Sequence, residues 1–276
     1  HYPLRRQRQM CIRDRHYGDA NSWLQGDQWD TIMNYDGFMD PVTWFLTGVD
    51  KHSDNSNPGM RGDAGTFKLT MQYQMSRMQN QSLLVAMNEL SNHDHSRFLT
   101  RTNRMVGRVG TAGTAAASQD IDEAIFKQGV VMQMTLPGAP TLYYGDEAGV
   151  CGWTDPDNRR TYPWGHENFE ILEFYRHRQH KVFKTGSYKP LVEQRDLLCY
   201  GRFDMDNAAF VAINTSDTDK TVSIPTWTLG VEDGESFERL IETSREFYNC
   251  GRVKVVQEND VVTVTVKANS SVIYHK

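Results

Sequence analysis

No apolar stretch of 18 or more residues occurs in the 276-residue chain, so nothing in it suggests a membrane-spanning helix. It has no stripe of Lys and Arg either. The formal net charge of -5 at pH 7 comes from scattered acids, which argues against a nucleic-acid surface. The four cysteines, Cys11, Cys151, Cys199 and Cys250, lie far apart without a CxxC pair. That spacing points to neither a zinc site nor a disulfide framework, and reduced thiols in a cytosolic protein are the default. Internal repeats and low-complexity tracts are also lacking. The remainder, 38% hydrophobic and 24% charged, is the composition of a globular chain long enough for one large domain and a smaller one. Several of the six Trp sit in polar loops. Taken singly, an aromatic is first read as core. Beside carboxylates and Arg, however, aromatics suit a sugar cleft, because a pyranose offers an apolar face and a rim of hydroxyls.

Residues 1–15 differ from the rest. The stretch Arg5 to Arg15 is strongly basic, without clear period and without the apolar core of a signal peptide. The sequence opens on His1, and Met10-Cys11-Ile12-Arg13-Asp14-Arg15 is similar to translated adapter sequence left at the ends of assembled reads. The expectation is a non-native segment over 1–15, with the natural chain extending upstream. The region that would report compartment and oligomeric state is then not in hand.

The chain is organised around the apolar run Leu83 to Leu90, which ends abruptly in Ser91-Asn92-His93-Asp94. Such a run, bounded by polar residues, suits a strand of a parallel sheet buried on both faces. Functional groups in parallel α/β folds collect just past the C-terminal ends of such strands. A short strand is expected within Asp27–Tyr35, then a helix capped by Asp40, carrying Pro41 at its first position and stopping near Gly48. Asp50 to Gly65 reads as loop and Thr66 to Gln79 as an amphipathic helix. After the organising strand, Arg97 to Ser118 reads as a long loop. Asp120 and Glu123 form a capping box for a helix over Ile121–Leu136. Thr141 to Gly145 is a second buried strand ending in Asp146-Glu147, and Glu167 to Lys184 a further helix. This alternation predicts βαβ units. From about Pro190 the pattern changes to short strands, at 196–203, 208–214, 221–224, 253–256, 261–266 and 271–274, with turn residues between. These predict an antiparallel β-sandwich.

Two strand-end loops carry the candidate chemistry. The first holds Asn92, His93, Asp94 and Arg97; the second holds Tyr144, Asp146 and Glu147, then Asp155 to Arg160 and Trp164. A solvated ion-pair face would also supply acids and Arg. His93-Asp94-His95 could be a metal cluster, but adjacent residues rarely face one ion.

In combination, Ser91-Asn92-His93-Asp94, then Leu136 to Glu147, then Asp155-Pro156-Asp157-Asn158-Arg159-Arg160 with Trp164 resembles the α-amylase family of glycoside hydrolases, family 13. The nearest branch in pattern is the neopullulanase, cyclomaltodextrinase and α-glucosidase group. The resemblance covers about residues 16–276. It implies the C-terminal part of a (β/α)8 barrel, about strands six to eight, over 16–189, followed by a β-sandwich over 190–276. It further implies that His93 hydrogen-bonds the sugar at the cleavage subsite and that Asp94 is the third carboxylate, which stabilises the transition state. Asn92, Tyr144, Asp155, Arg159 and Trp164 become substrate contacts, with Asp155 and Arg159 on a neighbouring glucose unit. The implied partner is an α-glucan or maltooligosaccharide. No cofactor is required, and calcium is left open.

One departure matters. A retaining glycosidase needs a nucleophile and a general acid, with carboxyl groups roughly 5 Å apart. By the resemblance the nucleophile belongs to the fourth strand, before this chain begins. The acid ends the fifth, in a pattern similar to Gly-Glu-x-Trp-His. If His16 closes that pattern, Arg13 stands where the Glu should be and Arg15 where the Trp should be. Arg does not donate a proton at neutral pH. The expectation is a catalytically inactive fragment of an α-glucan-active enzyme. The alternatives are a non-catalytic carbohydrate-binding or protein-association member of the same fold, or a protein unrelated to sugars, in which Asp94, Asp155 and Arg159 would not converge.

Overall fold

The computed structural model describes residues 23–26, 28–175 and 180–276. The segment 1–15 and His16, on which the expectations about the N-terminus rest, lie outside the described residues. Met33 forms a single parallel bridge to Met87, with Met87 N donating to Ile32 O and Asn34 N to Met87 O. One π turn, Tyr35–Met39, leads into α1 (Asp40–Thr47). Asp40 is therefore the first residue of α1 and not its cap, and its carboxylate instead meets Lys51 Nζ at 2.7 Å. Gly48 ends α1 with φ 72, a region glycine enters without steric cost. In α2 (Ala64–Ser76) the cap is Asp63, whose side chain accepts from Thr66 N.

Next come α3 (Asn80–Leu84) and β1 (Met87–Glu89). The strand expected from Leu83 thus shrinks to three residues. Leu83 is buried from a helix, Val85 is exposed, and Ala86 N turns back onto Leu83 O. An apolar run does not by itself separate buried helix from strand. The region expected as loop holds α4 (Phe98–Arg101), α5 (Val109–Ala112) and a 3-10 turn at Thr114–Ser118. In α6 (Glu123–Thr135) the cap is Asp122, which accepts from Ala124 N and Ile125 N. Asp120 lies outside the helix at φ 52.

β2 (Ala139–Thr141) pairs in parallel with β1, Met87 opposite Ala139 and Glu89 opposite Thr141. It falls two residues earlier than expected, because Tyr143 to Asp146 turns away, Asp146 N donating to Tyr143 O. The single helix expected over 167–184 is instead α7 (Phe169–Tyr175) and α8 (Lys181–Thr185); His180, at φ -80 and ψ 151, is extended. Met33, β1 and β2 therefore run side by side in one direction with helices between them, as βαβ units require.

The remaining strands are β3 (Ser187–Gln194), β4 (Leu197–Phe203), β5 (Ala208–Asn214), β6 (Lys220–Ile224), β7 (Ser236–Thr243), β8 (Tyr248–Asn249), β9 (Lys254–Val256), β10 (Val262–Val266) and β11 (Ser270–His275). One antiparallel sheet runs β3-β4-β5-β11-β7-β8 with β9 also on β7, and β10 pairs with β6 in a second. Expectation missed β3, β7 and the two-residue β8. Pro190 and an edge position mask the first, and Glu238, Arg239 and Glu242 break the apolar alternation of the second. In the larger sheet the two faces divide by parity. Leu197, Cys199, Phe210, Ala212, Val272 and Tyr274 face the smaller sheet. Leu198, Tyr200, Val211, Ile213 and Ile273 join the core of the parallel region, with Phe98, Phe126 and Val130. A strand whose side chains alternate between two apolar neighbours is buried on both faces.

Candidate active site

Beyond β1 the chain enters a turn that Asn92 shapes. Its Oδ1 accepts from Asp94 N at 2.9 Å and His95 N at 3.2 Å. Its Nδ2 donates to Tyr35 Oη at 2.9 Å and to Glu89 Oε2 at 3.1 Å. This is the local side-chain bonding for which Asn is favoured in turns. Asn92 is buried and its carboxamide fully engaged, so it lies beneath the site as a positioning residue. His93 and Asp94 project from the turn half exposed, with His93 Nε2 3.5 Å from Asp94 Oδ1.

The second loop is fastened to the first by buried groups. Asn158 Nδ2 donates to Asn92 O at 3.0 Å and to His95 O at 2.8 Å. Arg97, wholly buried, donates from Nε to Asn158 O at 2.8 Å, and from Nη1 to Tyr144 O at 2.6 Å and Asp146 Oδ1 at 3.0 Å. Its guanidinium lies 4.1 Å from the centre of the Tyr143 ring and 4.9 Å from that of Tyr144. Arg159 then crosses the gap on the surface. Its Nη2 donates to His93 O at 3.1 Å and its Nε lies 2.6 Å from Asp155 Oδ1. His93, Asp94, Asp155 and Arg159, up to 66 positions apart in sequence, thus form one half-exposed constellation at the strand ends. Tyr144 joins it through Arg97 and donates its hydroxyl to Arg160 O at 2.9 Å. Trp164 stands apart. It is 79% exposed, its ring 4.5 Å from that of Tyr162, and no contact among the described residues links it to His93 or Asp94.

Burial sets the electrostatics under this surface. It raises the Asp146 carboxyl above the ordinary carboxylate range, although Arg97 beside it pulls the other way. Desolvation, with His52 and Arg101 next in effect, drives the His95 ring down to about 2. His95 is thus a neutral floor residue, edge-on to Tyr35 and to His52 at centroid distances of 4.8 and 4.6 Å. Sequence reading overlooked this floor and the hydroxyl of Tyr35. The signal was available: Tyr35 follows the Met33 segment directly, as Asn92 follows β1. Among the described residues no group of three or more His, Cys, Asp or Glu is placed to hold a metal ion. The His93-Asp94-His95 triplet splits: His93 faces Asp94, and His95 is buried against Tyr35.

Comparison with known proteins follows the same division of the chain. The family model described as the α-amylase catalytic domain matches residues 10–196, and that described as the α-amylase C-terminal all-beta domain matches 191–276. An amylopullulanase of Thermoanaerobacterium thermosulfurigenes is 33% identical over 246 residues, 83% of this chain and 13% of that protein. A cyclomaltodextrinase of Thermoanaerobacter pseudethanolicus is 30% identical over 211 residues, 74% and 32%. The native debranching enzyme of Nostoc punctiforme superposes with TM-score 0.73 at 24% identity, covering 97% of this chain and 55% of that one, a likeness of fold. The chain spans 13% to 20% of the length of the three amylopullulanases it matches. The fold is the C-terminal part of a (β/α)8 barrel with an antiparallel β domain behind it, and the chain belongs to the α-amylase family of glycoside hydrolases.

Proposed function

We propose that this chain is the glucan-gripping part of an α-glucan-active glycoside hydrolase or glucanotransferase, acting on α-1,4 or α-1,6 glucosidic bonds with retention. The observation that carries the reading is the 3.1 Å hydrogen bond from Arg159 to the His93 carbonyl, which makes one surface of two strand-end loops. Asp94 is read as the carboxylate that accepts from hydroxyls of the ring under attack and holds them harder as the ring flattens. Only such a difference between ground and transition state accelerates the reaction. His93 donates to the same ring. Asp155 and Arg159 hold the adjoining glucose unit, the rigid guanidinium fork donating and the carboxylate accepting. Nucleophile and general acid are assigned to strands four and five, so the chain by itself binds glucan and does not cleave it.

Fused behind the upstream part of the barrel, strands one to five, the chain is expected to hydrolyse maltotetraose, and Asp94→Asn to lower kcat/KM by about 10²- to 10³-fold, as for other donors or acceptors used mainly in a transition state. The amide keeps the shape and surface of the carboxylate, so the thermal midpoint should hardly move. Turnover within a few-fold of the parent would remove Asp94 from this role.

A further inference from the structure

Where loops of the parallel region meet loops of the β domain, three arginines share too few acceptors. Arg61, just before α2, is tied to the β domain by its backbone: Asp196 N donates to Gly62 O at 2.8 Å and Thr215 N to Asp196 O at 2.9 Å. Its Nη2 donates to Thr215 O at 3.2 Å, while its Nε is buried without a hydrogen-bond partner among the described residues. Arg245, in the turn between β7 and β8, is placed by the buried Lys127 of α6, whose Nζ donates to Ser244 O at 3.4 Å and Arg245 O at 3.5 Å. The Arg245 Nη2 stops 3.6 Å from Asp122 Oδ2.

Arg104 completes the group. It follows α4 at φ 61, a conformation that non-glycine residues hold only when their surroundings enforce it. Asn103 does so, donating from Nδ2 to Ala116 O and Gln119 O, both at 3.3 Å, and accepting from Met105 N at 2.8 Å. Exposed arginines ordinarily point to water and need no partner. Arg104 is different. Its guanidinium has no hydrogen bond or ion pair among the described residues, yet its strongest electrostatic neighbour is another cation, Arg61, ahead of Asp122, Asp217 and Arg245. Partial desolvation, with Arg61 next in effect, holds it below the ordinary guanidinium range.

The two carboxylates nearby are already committed. Asp122 Oδ1 caps α6, accepting from Ala124 N at 2.9 Å and Ile125 N at 3.3 Å, and Asp217 Oδ1 accepts from Asn269 Nδ2 at 2.9 Å. Arg61, Arg104 and Arg245 all act on Asp217. Three cations against two anions leave positive charge and N–H donors unanswered. A guanidinium fork matches a carboxylate or a phosphate. Three forks brought in from separate segments suit a tetrahedral dianion, whose oxygens point several ways, better than a planar carboxylate. None of these residues belongs to the glucan surface.

We propose that Arg61, Arg104 and Arg245 form a phosphate-binding site at the seam between the parallel region and the β domain, which takes free phosphate or the phosphate ester of a sugar. Its occupant touches both regions and so braces the joint between them.

Calorimetric titration of the whole chain with sodium phosphate, and separately with glucose 6-phosphate, tests it, with sodium chloride of equal ionic strength as the control. The pH is set near 8, where a phosphate group carries about two charges. Saturable binding of phosphate is expected, with a thermal midpoint that rises as phosphate is added. Arg61→Gln, Arg104→Gln and Arg245→Gln should each weaken it at least fivefold. Arg252→Gln, which removes the same charge from an exposed site on the β domain, should change it less than twofold. Arg104→Gly suits φ 61, so it deletes the guanidinium and keeps the turn; it carries the comparison if Arg61→Gln unfolds the chain. Glucose 6-phosphate binding tighter than phosphate, with the same losses in the variants, identifies a sugar phosphate as the occupant, and equal or weaker binding identifies free phosphate. Binding no stronger than in the chloride control, or unchanged phosphate affinity in the folded Arg61 and Arg104 variants, overturns the site.

Discussion

His95 is one step from Asp94 in sequence yet belongs to a different physical world. It is buried, its Nδ1 has no hydrogen-bond partner among the described residues, and its ring takes a proton only near pH 2, against 6.5 when free. Between those values the unfolded chain binds a proton that the folded chain refuses. Stability conferred by the neutral ring is therefore complete above 6.5 and falls as pH drops, by up to about 1.4 kcal/mol per unit. Urea unfolding at pH 6.5 and 4.5 should show the wild type losing roughly 2 kcal/mol more than His95→Gln, whose side chain does not titrate. Equal losses would mean that His95 is protonated in the fold. Asp94, Asp155 and Arg159 were singled out in the sequence by residue type and strand-end position, and only the family resemblance implied that they serve one site. His52 was not, since it lies in the loop after α1 and only the packing around His95 brings it to the turn, whereas Tyr35, just past the Met33 segment, carried a positional signal that went unread.

Three elements fix the geometry of the site from below. Gln133 Nε2, on α6, donates to Asn88 O on β1 and to Thr141 O on β2, both at 3.0 Å. Asn88 in turn accepts from Asn34 Nδ2 at 2.8 Å and donates to Pro137 O at 3.1 Å. A Cβ at Gly138, where φ is 131, would run into the Asn88 carboxamide. This buried polar ladder sets β1 against β2, and with them the loops that carry Asp94 and Tyr144. Gln133→Leu removes a buried donor shared by two strand carbonyls and should cost about 1–3 kcal/mol in urea unfolding. A loss under 1 kcal/mol would show that water replaces the amide. Elements were legible where the signal was local, as with Gly48 and the alternating Val262, Val264 and Val266. They were misread where tertiary packing decided, as at Leu83 to Ala86, and where charges interrupt the pattern, as in β7.

At the scale of the molecule the β domain is built into the barrel region. Gln128 of α6 donates to Asn214 O and Ser270 O at 2.8 and 3.1 Å. Arg202 of β4, fully buried, donates to Thr135 O at 2.6 Å, and the Thr135 and Tyr200 hydroxyls meet at 2.6 Å. Buried polar groups with partners at both ends lock one relative placement, since any other would strand them without hydrogen bonds. α6 thus serves two roles: one face holds β1 and β2 in register, and another seats the larger sheet. The change from alternating helices and strands to short strands was legible from composition and turns. The joint was not, because Gln128, Thr135 and Arg202 carry no pattern until the two regions are in contact. All of this architecture bears on one surface, where two loops separated by more than 60 positions meet. The most direct measurement is a crystal structure of the chain soaked with maltotetraose. One glucose ring is expected within hydrogen-bond reach of Asp94, and the adjoining ring of the same molecule within reach of Arg159. Maltotetraose bound elsewhere, or bound at one of these two residues with no ring at the other, would contradict it.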